Sequence, residues 1–152
     1  MERLRIALST SPGRGIRRAA LSVPLLLLTA CGSRSPAARA TEEAQTVASW
    51  AATTHLVADR WLARAVPDAY ARHSLETVRK TLAREATKAA SDELPAEMRG
   101  PIRAAIEAVD RSAAAVYAAV ERHDRTAVAE QIGRLAEVQR SLAPLVERGG
   151  AS

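Results

Sequence analysis

Cysteine is nearly missing from this chain of 152 residues, where Cys31 stands alone. A single thiol excludes an internal disulfide and a metal site built from several cysteines. Phenylalanine is absent, and the aromatic residues are Trp50, Trp61, Tyr70 and Tyr117. A core must therefore be filled mostly by aliphatic side chains. No segment alternates with a period of two and a β-branched bias, so strands are not expected. No apolar run reaches the ~20 residues that a membrane-spanning helix needs. The chain also lacks Gly-x-Ser-x-Gly, His-Glu-x-x-His, a phosphate-binding glycine loop and the Cys-x-x-Cys-His of covalent haem. Without a nucleophile, a cofactor motif or a recognisable acid–base pair, an enzyme is not expected, and no cofactor is implied.

What is present begins at the N-terminus. Residues 1–18 carry Arg3, Arg5, Arg14, Arg17 and Arg18 against one acid, Glu2. Residues 19–30 read AALSVPLLLLTA, without a charge and with Pro24 in the middle. A basic stretch, a short apolar run and then small residues make the plan of a secretory signal. The run ends Leu28-Thr29-Ala30-Cys31-Gly32. This resembles the lipobox of bacterial lipoproteins, a leucine and two small residues before a cysteine. The resemblance implies a diacylglycerol on the Cys31 thiol, cleavage just before it, and a membrane partner reached through lipid. It covers the signal and cleavage site only. Arg17-Arg18 also resembles the start of a twin-arginine export signal, but Ala19-Ala20-Leu21 departs from that pattern. A plain arginine-rich leader is the simpler reading.

The leader changes the meaning of the charge. The whole chain has a formal charge of +5, with 22 Lys and Arg against 17 Asp and Glu. Five of the arginines and one acid lie in residues 1–30, which leaves the mature part near +1. No basic run remains to track a phosphate backbone, so a nucleic-acid partner is not expected.

Residues 31–40, the cysteine followed by GSRSPAARA, read as a flexible tether. Thr41 offers an N-cap with Glu42 and Glu43 in the first turn. Apolar residues then recur at steps of three and four. The first stripe is Val47, Trp50, Ala51, Thr54, Ala58, Trp61 and Ala65. Pro67 interrupts, as a turn or a kink, with a turn preferred. The second stripe is Ala71, Leu75, Val78, Leu82, Ala86 and Ala89, followed by an expected loop through Gly100-Pro101. The third is Ile102, Ala105, Ile106, Val109, Ala113, Val116, Tyr117 and Val120. Asp124 can cap a fourth, formed by Val128, Ile132, Leu135, Val138, Leu142 and Leu145, with a kink at Pro144 and a stop at Gly149-Gly150. Four one-sided helices over 41–152 predict an all-α, antiparallel up-down four-helix bundle. The tetrapeptides Val57-Ala58-Asp59-Arg60 and Ala108-Val109-Asp110-Arg111 raise the question of an internal duplication, although alanine-rich helices resemble each other by composition alone.

In an up-down bundle the first and third connections share one end. His73, His123, Asp68 and Asp124 then fall in one neighbourhood where imidazole and carboxylate could hold a metal. No histidine stands at the His-x-x-x-His or Glu-x-x-His spacing of bundle metal sites, so solvated histidines are the simpler reading. His55 flanks the first stripe as a boundary residue. Trp61, Tyr70 and Tyr117 gather near the same end, either as its plug or as a surface for a protein partner. Asp68 with Arg72 and Glu130 with Arg134 have the spacing of helical ion pairs. These observations predict a non-catalytic envelope lipoprotein that works by contact. The alternative is a periplasmic ligand- or metal-binding sensor. Gly32 after the cysteine resembles lipoproteins sent to the outer membrane.

Overall fold

The computed structural model describes residues 35–90 and 94–150. The expected leader and lipobox, with Cys31, lie outside the described residues. All regular structure among the described residues is helical: α1 (Pro36–Leu62), α2 (Asp68–Ala89), α3 (Ala96–Glu121) and α4 (Arg125–Gly150). The four pack as a bundle. α1 touches the other three, α3 likewise, and α2 and α4 do not meet. The pair touching across the centre, α1 and α3, is also rich in alanine, with Ala40, Ala44, Ala51 and Ala58 buried on one helix and Ala105, Ala113 and Ala119 on the other. Short side chains let helix axes approach closely. The largest fully buried residues are Leu75, Leu82, Ile102, Leu135 and Leu142.

The stripes are the buried faces with small departures. Trp50, Ala86, Tyr117, Ile132, Val138 and Leu145 are partly buried against the core, and Ala65 is exposed in the first turn. α1 begins earlier than the sequence predicts. Ser35, not Thr41, is the N-cap, its hydroxyl accepting the Ala38 N–H at 3.2 Å with Pro36 behind it. Thr41 lies inside the helix, buried, and donates to the Ala37 carbonyl at 3.2 Å. The part of the expected tether from Pro36 to Ala40 is therefore helical, because a serine cap and a proline at the first position are a complete start signal.

α3 also starts early, after Pro95, so the expected loop through Gly100-Pro101 is mostly helix. Pro101 forfeits one backbone bond to the Glu97 carbonyl. Burial of Leu94, Met98 and Ile102 along this stretch offsets the loss. Pro144 likewise lies inside α4, which continues past it to Gly150. Pro67 does mark a turn, between α1 and α2. Asp59-Arg60 sits near the end of α1, but Asp110-Arg111 lies in mid-α3, so the two tetrapeptides do not occupy matching positions.

Candidate functional site

α1 and α3 end in the same way. The residue after each C-cap, Arg64 or His123, has positive φ, 58° and 54°. At each, that residue's N–H bonds back three residues and the next N–H bonds back five: Arg64 to Trp61 and Ala65 to Arg60, His123 to Val120 and Asp124 to Ala119. This is the Schellman stop, whose left-handed position glycine usually fills. The sequence has no glycine between Gly32 and Gly100, nor between Gly100 and Gly133. Asp124 serves twice, since its carboxylate also accepts the Ala127 N–H at 3.0 Å and caps α4.

The two stops lie together. Arg125, the first residue of α4, donates from Nη2 to the Leu62 carbonyl at the end of α1. Its guanidinium stands 5.7 Å from the centre of the Trp61 ring, within range of a cation–π contact. Trp61 donates from Nε1 to Asp68 Oδ1 at 2.7 Å, and Asp68 Oδ2 lies 3.5 Å from His123 Nδ1. A cleft of about 300 Å³ opens among Trp61, Arg64, Val66, Asp68, His123 and Arg125.

The structure thus joins His123 to Asp68, and Asp124 stays nearby as a cap. It shows no bond from His73 to this group, and among the described residues no set of three His, Cys, Asp or Glu could hold a metal. Arg72 reaches Glu121 of α3 at 4.0 Å rather than Asp68, because Asp68 faces the indole and imidazole instead. Trp61 is only 6% exposed and belongs to the core. Tyr117 is partly buried against that core, and Tyr70, at 55%, is the one of the three open to a partner. His55 is half-buried, at the boundary.

A second polar feature escaped the sequence. Glu43 of α1 meets Glu85 of α2, and Glu85 is buried and held by Lys88 at 2.8 Å. Burial, then the hydrogen bond and charge of Glu85, push the Glu43 carboxyl up to about 7. Its Oε1 is shut from solvent and meets no donor, which disfavours an ionised carboxylate there. Between α2 and α3 an open groove of about 490 Å³ is floored by Leu82 and Ile106. Its rim charges are paired within the molecule, Arg79 with Asp110 at 3.2 Å and Lys80 with Glu76 at 2.7 Å.

The fold and these features define an all-helical bundle with a polar, basic cleft at one end. The chain matches no protein-family model, no curated protein and no solved structure.

Proposed function

We propose that the chain is an envelope lipoprotein, anchored through lipid on Cys31, whose helical bundle acts by contact as an accessory or structural module. The observation that carries this reading is Leu28-Thr29-Ala30-Cys31 at the end of an arginine-rich and then apolar leader. The early start of α1 supports a close attachment. Five steps of chain separate Cys31 from Pro36, a reach of at most ~18 Å. The helices run alternately up and down in this reading. Support comes from the short connections at 63–67 and 122–124 and from the contact of Glu43, early in α1, with Glu85, late in α2. The end bearing Trp61 and Tyr70 then faces away from the membrane, where Tyr70 can meet a protein partner. Gly32, in place of aspartate, favours the outer membrane in a bacterium with two.

The test is Cys31→Ser, followed by membrane fractionation and a size comparison. The parent should be membrane-bound and processed, and the variant should accumulate as a longer precursor or leave the membrane fraction. A variant that is cut and retained like the parent contradicts the anchor.

A further inference from the structure

The cleft at the Trp61 end combines surplus cationic side chains with a backbone that glycine would suit better. Arg64 and His123 both hold the left-handed position of a helix stop, where a side chain costs energy that glycine avoids. Both project from those positions onto the same cleft of about 300 Å³, and Arg125 lines it as well, so that two guanidiniums border it. Non-glycine residues held in that conformation are a recurrent mark of sites where the side chain is needed.

The acids around the cleft already have partners. Asp68 accepts from Trp61 and faces His123, Glu121 faces Arg72, and Asp124 caps α4. Among the described residues no carboxylate pairs with Arg64. Arg125 spends one donor on the Leu62 carbonyl, and a guanidinium has five N–H groups in a planar fork that matches an oxyanion.

We propose that the cleft bounded by Arg64, His123 and Arg125 binds a small oxyanion, a phosphate or carboxylate group, against the apolar wall of Trp61 and Val66. The two guanidiniums supply the donors. The site is independent of whether Cys31 carries lipid.

Because Arg125 lies over Trp61, the indole fluorescence should report occupancy. The full-length chain carrying Trp50→Phe retains Trp61 as its only indole. It is titrated with inorganic phosphate and separately with acetate, with ionic strength held constant by chloride. A saturable change with at least one oxyanion is expected, and the one that saturates identifies the group recognised. Adding Arg64→Gly should weaken apparent binding about tenfold or more without lowering the melting temperature. Equilibrium dialysis of radiolabelled phosphate and acetate against the unaltered chain and Arg64→Gly makes the same comparison without touching Trp50. No saturation with either oxyanion, the same response to chloride alone, or equal binding by Arg64→Gly would overturn the proposal.

Discussion

At the scale of single residues, two positions set the chemistry of the bundle ends. Glu43 holds its proton more tightly in the folded chain than its ordinary value of 4.5, up to about 7. A raised carboxyl stabilises the fold while it is protonated. Its contribution is fully present below pH ~4.5 and is lost as pH rises through ~7. Glu43→Gln keeps the neutral shape. It should melt like the parent near pH ~4.5 and above the parent near pH ~8. Equal shifts at both pH values in thermal denaturation would show that the pair does not titrate in this way. Arg64 is the second position. Glycine has no Cβ to strain at φ 58°, so Arg64→Gly should raise stability by up to ~1 kcal/mol in chemical denaturation. A lower midpoint would mean that the arginine side chain contributes more to folding than its backbone conformation costs.

At the scale of helices, the seams carry the stability. Leu75 and Leu135 are fully buried on α2 and α4. Each truncation to alanine should cost ~2–5 kcal/mol, with the spread set by how far neighbours collapse. Leu56 and Tyr70 are mostly exposed, and their alanine variants should stay within ~0.5 kcal/mol of the parent. If all four variants melted alike, the assignment of buried faces would be wrong. These faces were legible in the sequence because leucine, isoleucine and valine recur at helical spacing. The starts of α1 and α3 were not. Ala40 and Ala44 are buried, but alanine gives a weak apolar signal, so Ser35-Pro36 read as tether. Gly100-Pro101 read as loop because local propensity argues against helix, and burial of Met98 and Ile102 overrides it. Of the end cleft, Asp68 and His123 were legible once the first and third connections were placed together. Arg64 and Arg125 were not, since the many arginines of the chain look alike in sequence until the turns fix their backbones. The Glu43–Glu85 pair joins positions on different helices, and nothing in either neighbourhood singles out one glutamate from its solvated companions.

At the scale of the whole molecule, most of the formal net charge lies in residues 1–30 rather than in the bundle. The formal +5 falls to about +1 once residues 1–30 are set aside, so processing should also lower the isoelectric point from near 10.3 for the full chain. No helix among the described residues is long and apolar enough to cross a membrane. In this account the lipid provides the hold, and stable anchoring takes more than one acyl chain. The most direct measurement is intact and fragment mass spectrometry of the native protein extracted from its membranes. The expected result is a mature chain whose first residue is Cys31, carrying a thioether-linked diacylglycerol. A mature chain that begins elsewhere, or one with an unmodified Cys31, would contradict it.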